Sequence, residues 1–127
     1  MAVVQKVNPP GLAFPAMSQA IRMGERVLVS GQVALKDGQV TGIGDAEAQA
    51  RQCFANIDAS LRAAGATLDQ VVRVRCYLTG AEAYPGYAKV RQELFGNIQP
   101  CSTAVIVQGL LLPGLLMEVE AEAWSPL

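Results

Sequence analysis

Met117-Glu118-Val119-Glu120-Ala121-Glu122-Ala123-Trp124 alternates without a break. Successive side chains of an extended chain point to opposite sides, so Met117, Val119, Ala121 and Ala123 share one face and Glu118, Glu120, Glu122 and Trp124 the other. Such a strand keeps one face in a core and one face out of it. Further back, Val71 to Leu78 repeats the pattern, with Val72, Val74, Cys76 and Leu78 opposing Arg73, Arg75 and Tyr77. A third β-branched run, Arg26-Val27-Leu28-Val29-Ser30-Gly31-Gln32-Val33, follows a hairpin turn at Gly24-Glu25. It precedes a second turn at Lys36-Asp37-Gly38-Gln39, where Asp-Gly tolerates positive φ. Thr103 to Val107 reads as a further strand. Leu110 to Leu116 is apolar but broken by Pro113-Gly114, so it reads as a loop.

Two segments between these strands carry a helical period instead. From Asp45 to Ala64, residues Ala46, Ala50, Cys53, Ile57, Leu61 and Ala64 recur at spacings of three and four. Asp45 is placed to cap the first turn, and Gly65 stands where a left-handed residue closes a helix. Tyr84 to Phe95 is a second helix, with Tyr87, Val90, Arg91 and Leu94 on one side and Gly96 at its end. Residues 1–19 hold Asn8-Pro9-Pro10-Gly11 and Pro15, and read as an extended arm with at most an edge strand. The order ββ-α-β-α-ββ predicts an α+β fold with both helices on one face of a single sheet, as one domain over residues 1–127.

Composition narrows the function. The chain has 127 residues, 51% of them hydrophobic and only 17% charged, so a packed core is expected and part of the surface is expected to be covered by self-association. Ten basic against eleven acidic residues give a net charge of −1, which leaves no excess to neutralise a nucleic-acid backbone. The absence of histidine removes the serine triad, the cysteine–histidine pair and histidine metal sites. Cys53, Cys76 and Cys101 are odd in number and form no CxxC, so reduced thiols in a cytoplasm are expected, with no metal and no cofactor. No apolar run is long enough to span a membrane, and no signal peptide is visible at the N-terminus.

Few residues are left to carry chemistry. Ser30-Gly31-Gln32 at a strand end offers an amide or hydroxyl to a ligand, although a plain glycine bulge accounts for the same pattern. Glu118, Glu120 and Glu122 repel one another on one face, so they are all solvated or one lies in a cleft with a polar partner. Arg73 and Arg75, alternating with Tyr77, are able to grip a carboxylate or to form a solvated face. Cys101 lies in a turn entering a strand with no basic neighbour in sequence to lower its pKa. Gly42-Ile43-Gly44 lacks the third glycine and the strand–helix setting of a dinucleotide site.

Three longer stretches are more specific. Val29-Ser30-Gly31-Gln32-Val33, Ala48-Gln49-Ala50-Arg51-Gln52-Cys53-Phe54-Ala55-Asn56-Ile57, and Leu61 through Gly65-Ala66-Thr67-Leu68-Asp69-Gln70-Val71-Val72-Arg73 strongly resemble the Rid/YjgF family of reactive-intermediate deaminases, also known as endoribonuclease L-PSP. Pro100-Cys101-Ser102-Thr103-Ala104-Val105 and Pro113 through Met117-Glu118-Val119-Glu120-Ala121 agree, so the resemblance runs over about residues 14–124. It implies a chorismate-mutase-like fold of the bacillus type, with one mixed sheet per subunit. It also implies a homotrimeric barrel with small-molecule clefts between subunits.

In that family an arginine after the proline holds a substrate carboxylate, and a glutamate on the last strand positions the attacking water. A tyrosine early in the chain and an asparagine on the second helix complete the pocket. By the resemblance, Glu120 is the catalytic carboxylate, and Phe14, Met17, Ser30, Gly31, Ala88, Ser102 and Thr103 line the cleft. Here the arginine position holds Ser102, the tyrosine position Met17 and the asparagine position Ala88. Serine gives one neutral hydrogen bond where arginine gives a charged fork, so the expectation is a hydrolase of imines or enamines that is inefficient on 2-imino acids. The alternative is a non-catalytic trimer that binds a small molecule or acts as a chaperone or regulator. An endoribonuclease is disfavoured by the balanced charge, the 6% aromatic content and the missing histidine base.

Overall fold

The computed structural model describes residues 3–127. Eight strands and two helices follow one another: β1 (Val4–Val7), β2 (Ala20–Met23), β3 (Arg26–Gln32), β4 (Leu35–Lys36), β5 (Gln39–Val40), α1 (Ala46–Ala63), β6 (Val71–Leu78), α2 (Tyr84–Phe95), β7 (Cys101–Ile106) and β8 (Met117–Trp124). Six of the strands form one mixed sheet in the order β1-β2-β3-β8-β6-β7, while β4 and β5 make a small separate ribbon. All pairs in the large sheet are antiparallel except β6 with β7. A parallel pair needs a crossover, and α2 is that crossover.

The alternation that sequence predicts for β8 is the one observed. Met117, Val119, Ala121 and Ala123 are buried, and the three glutamates are not. β8 lies between β3 and β6, so its buried row continues sideways through Val29–Ala121–Val74 and into Cys76–Val119 and Leu78–Met117. The two helices cover this face. α1 contributes Ala50, Cys53, Phe54, Ile57 and Leu61, all essentially fully buried. Burying side chains of the size of Phe54, Ile57 and Leu61 contributes about 1.5–3 kcal/mol each. Phe54 also joins the helices, stacking on Tyr87 at 5.9 Å and meeting Phe95 edge-on at 5.4 Å. Gly86 allows the close crossing, since a Cβ there would lie 2.7 Å from the Glu47 backbone nitrogen.

The helix ends follow their caps. The Asp45 side chain accepts from the Ala48 backbone N–H at 3.0 Å, and Gly65 takes φ +79° directly after α1. Asp37 and Gly38 both take positive φ, 52° and 77°, in the turn joining β4 to β5.

Three expectations are corrected. Val72 does not share the inward face of β6, because a bulge between Val71 and Arg73 turns it outward and Val71 is buried instead. The strand expected from Thr103 begins two residues earlier, at Cys101, which pairs with Arg73. The hairpin turn at Gly24-Glu25 and the edge strand allowed for the arm are both found, as β2–β3 and β1, but residues before 25 thus supply two strands where the order ββ-α-β-α-ββ leaves room for one. Their short length and prolines conceal them in the sequence.

Two buried amides on α1 hold the segments that present the outer face. Gln49 donates to the carbonyls of Gly114 (2.8 Å) and Gly42 (3.3 Å) and accepts from the Leu116 N–H (2.8 Å), fixing the entry into β8. Asn56 donates to the carbonyls of Val33 and Leu35, 3.0 Å each, fixing the exit from β3. Gln49→Leu keeps the volume and strands these backbone groups, so it is expected to lower stability by about 3 kcal/mol in urea unfolding, whereas a change below about 0.5 kcal/mol would contradict this role.

Candidate functional site

The face of the sheet away from the helices is polar along its centre. Pairing sets Glu122 opposite Arg73, Glu120 opposite Arg75 and Glu118 opposite Tyr77, so the carboxylate row of β8 meets a row of cations and a phenol on β6. The Tyr77 hydroxyl donates to Glu120 Oε1 at 2.5 Å, and Arg75 Nη1 stands 3.6 Å from the same oxygen. Accepting that bond, Glu120 keeps the proton on Tyr77 and raises the phenol's pKa. Glu122 pairs with Arg26 at 2.8 Å across β3. Glu118 has no cation within ion-pair distance among the described residues. Partial burial, and secondarily the charge of Glu120, raise its pKa above the ordinary carboxylate value.

Of these groups Arg73, Arg75, Glu120 and Glu122 border a cleft of about 310 Å³ that Ser18, Ile21, Leu28 and Ser30 also line. Ser30 and Gly31 lie where β3 shifts register against β8, between Val29 and Gln32, so the strand end at the cleft and the glycine bulge are one feature. The Ser30 hydroxyl donates to the Ser18 carbonyl at 2.6 Å. A Cβ at Gly31 would meet Glu118 Oε2 at 2.6 Å, so a side chain there would displace the Glu118 carboxylate. Gln32 turns inward and donates to Gln19 Oε1 at 2.6 Å, closing the bulge from the core side.

The expected cleft residues divide between the two faces of the sheet. Glu120, Ser30 and Gly31 gather on the outer face. Thr103 pairs with Arg75 and belongs to that face, whereas Ser102 pairs with inward-facing Val74 and belongs to the helix side. Alternation therefore separates Ser102 from Glu120, although sequence reasoning grouped them. Ser102 instead receives a 3.4 Å hydrogen bond from Arg91 Nη1 on α2. Ala88 lies on α2 between Tyr84 and Arg91, one turn from each. Phe14 and Met17 are exposed, at 40% and 55%, on the connection that leads to Ser18.

Cys101 is exposed at the start of β7 with Arg73 as its strand partner, a neighbour that chain order does not reveal. The other two thiols are buried in the core, which raises Cys53 and pushes Cys76 up to about 12.

Sequence reasoning missed Tyr77 as the group that orients Glu120, Glu118 as a half-buried carboxylate, and Arg91 as a neighbour of Ser102. The signals were present. Tyr77 alternates with the two arginines, and Arg91 is a charge on the otherwise apolar side of α2.

A single mixed sheet backed by two helices, with a carboxylate cleft on its bare face, defines a chorismate-mutase-like α+β protein. The chain matches the family model described as Endoribonuclease L-PSP over residues 11–125, and it belongs to that family, the YjgF/Rid family. It is 37% identical over 110 residues to the RutC family protein PH0854 of Pyrococcus horikoshii, covering 85% of this chain and 86% of that one. It is 33% identical over 96 residues to a 2-iminobutanoate/2-iminopropanoate deaminase of Dermatophagoides farinae, covering 73% of each. The crystal structure of Rv2704 from Mycobacterium tuberculosis, a YjgF-family member, superimposes with a TM-score of 0.83 at 35% identity, over 96% of this chain and 99% of that one.

The raised pKa of Glu118 has a sign that can be tested. The ionised form costs more in the folded chain than in the unfolded one, so this group lowers stability as pH rises through the carboxylate range. Glu118→Gln is expected to raise the melting temperature at pH 7, with the gain shrinking towards pH 4. A gain that does not change with pH would place the effect in packing and not in ionisation.

Proposed function

We propose that this chain is a hydrolase of an imine or enamine C=N bond in a small metabolite, with Glu120 as the base that orients the attacking water. The observation that carries the reading is Glu120 itself, aimed by the Tyr77 hydroxyl at 2.5 Å and lining an open cleft of about 310 Å³. An enamine first tautomerises to its imine. Water then adds to the imine carbon, forming the C–O bond while Glu120 takes a proton from the water and the nitrogen gains one. The resulting carbinolamine expels ammonia and leaves a carbonyl compound. The deaminase name of the Dermatophagoides farinae relative supports this reaction class.

Substrate range follows from Ser102. A small 2-imino acid is held chiefly by its carboxylate, and a serine on β7 supplies no charge to it, so such acids are poor substrates here. The same loss of polar groups at Met17, Ala88 and Ser102 favours, as a second reading, a cleft that binds a metabolite without turnover.

The proposed unit is one domain per chain in a homotrimer with clefts between subunits. Exposed apolar side chains on the bare side of the sheet and at its β7 edge support assembly: Val72 at 46%, Val105 at 44%, Ile106 at 61% and Trp124 at 54%. Nothing in the charge balance draws the trimer to nucleic acid, and no described helix is long and apolar enough to cross a membrane. Three unpaired thiols fit a reducing compartment such as the cytoplasm.

Imines generated in situ from leucine and from alanine by an amino-acid oxidase, with semicarbazide trapping what remains, test this reading. Wild type is expected to accelerate loss of both imines measurably but weakly, since each is a 2-imino acid whose carboxylate Ser102 leaves without a charged partner, and Ser102→Arg is expected to raise both rates about ten-fold or more. Glu120→Gln should cost at least about 100-fold in rate while sedimentation still reports a trimer, because a base acts on the reaction and not on assembly. No acceleration by wild type, or a rate unchanged in Glu120→Gln, would contradict the proposal.

A further inference from the structure

Hydrolysis of a C=N bond needs two proton carriers, and Glu120 is one of them. Adding water takes a proton from the water and puts one on the nitrogen, so a base and an acid act together. Few groups at the cleft are able to donate. The chain has no histidine. Arg73 and Arg75 line the cleft but keep their protons at every working pH. The Ser30 hydroxyl is given to the Ser18 carbonyl. The Tyr77 hydroxyl is given to Glu120, which raises the phenol's pKa. The missing partner is a carboxylic acid that keeps its proton.

Glu118 stands next to Glu120 in the outward row of β8. Residues two apart on an extended strand are separated by about 6.8 Å. Hydrolases that hold a water between an acid and a base carboxyl keep the two roughly 6.5–9.5 Å apart. Glu118 Oε2 lies against Gly31, the residue after Ser30 of the cleft wall, since a Cβ at Gly31 would meet that oxygen at 2.6 Å. The charged groups around it are engaged elsewhere. On β6 its strand partner Tyr77 donates to Glu120, and Arg75 stands 3.6 Å from Glu120. From β3, Arg26 pairs with Glu122. On the other side of the sheet, α1 brings only the buried, protonated Cys53 thiol. Partial burial, and then the charge of Glu120, raise the Glu118 pKa. A carboxyl without a cation beside one held by a phenol and an arginine is the pattern of an acid next to a base.

We propose that Glu118 is the general acid of the cleft, giving a proton to the imine nitrogen while Glu120 takes one from the attacking water. This deepens the hydrolase reading and rests on it. In the first half, the C–O bond forms and the π pair of C=N moves to the nitrogen. Glu118 ends as a carboxylate and Glu120 as an acid. In the second half the roles exchange. Glu120 protonates the amino group of the carbinolamine, and the C–N bond breaks with its electron pair leaving on ammonia. Glu118 takes the hydroxyl proton as the carbonyl forms. Both groups return to their starting states, and imine plus water has become a carbonyl compound plus ammonia. The stability that Glu118 forfeits at neutral pH is then tied to function.

Glu118→Gln keeps the size of the side chain and removes the transferable proton. With the leucine-derived imine it is expected to lower kcat about 100-fold or more and to leave KM within about two-fold. The same variant is expected to melt no lower than wild type at pH 7, so its lost rate is not lost folding. Glu118→Asp, a shorter acid, should recover part of the rate. A kcat in Glu118→Gln within about two-fold of an active wild type, or no recovery by Glu118→Asp, would overturn the acid role and leave Glu120 standing as the base. A wild type that accelerates neither imine would overturn the hydrolase reading and this role together. Carbon NMR of the chain labelled at its glutamate carboxyls reads the pair without turnover. Glu118 should titrate above the ordinary glutamate value and move down in Glu120→Gln, where the neighbouring charge is gone. A Glu118 that titrates at or below that value in wild type would overturn the acid role by itself.

Discussion

The register of β8 between β3 and β6 is the constraint on which the rest depends. Side chains on a strand alternate with a period of two, so a slip by one residue would drive Glu118, Glu120 and Glu122 under the helices and expose Met117, Val119, Ala121 and Ala123. Burying three carboxylates without cations costs several kcal/mol each, far more than any local gain in pairing. The register is therefore fixed by what both faces demand. Gln49 adds a pin at the entry to β8, and Asn56 another at the exit from β3.

With that register set, the outer face follows. Opposite charges meet across β6 and β8, and Tyr77 falls within reach of Glu120 because both belong to one row. The exposed ion pairs contribute little to stability, but they aim a carboxylate. The same alternation sends Ser102 and Arg91 to the other side of the sheet. A chain alone thus presents a carboxylate on one face of the sheet and a cation beside the Ser102 hydroxyl on the other, with the sheet itself between them. In the proposed trimer the two halves meet only where the carboxylate face of one subunit approaches the β7 edge of the next, as a closed ring of three copies allows.

Much of this was legible in the sequence. The strict alternation of β8 and β6 and the three-and-four spacing of α1 report burial directly, since each period has one geometric meaning. Asp45 and Gly65 are legible for the same reason: each answers a local backbone need. What was hidden is tertiary. The bulge that turns Val72 outward has no composition signature, and β1 and β2 are too short to show a period. The pairing of Cys101 with Arg73 spans 28 positions of the chain and depends on a parallel register that α2 sets. In one chain Ser30 and Glu120 line one cleft and Gly31 lies beside Glu118 at the bulge, while Ser102 and Thr103, neighbours on a regular strand, fall on opposite sides of the sheet. Arg91 was visible as a charge on an apolar stripe, and only the stacking against Tyr84 and Tyr87 gives that charge a purpose.

The division of one site between two subunits is the central claim, and mixing inactive subunits tests it most directly. Glu120→Gln and Arg91→Gln chains would be co-expressed, the mixed trimers purified, and hydrolysis of the leucine-derived imine measured. If each site takes its carboxylate from one subunit and its guanidinium from the next, every mixed trimer holds one intact site of its three, so about a third of wild-type activity should return. If each site were built within a single chain, no mixed trimer would contain an intact one, and activity no higher than that of the separate variants would contradict a site shared between subunits.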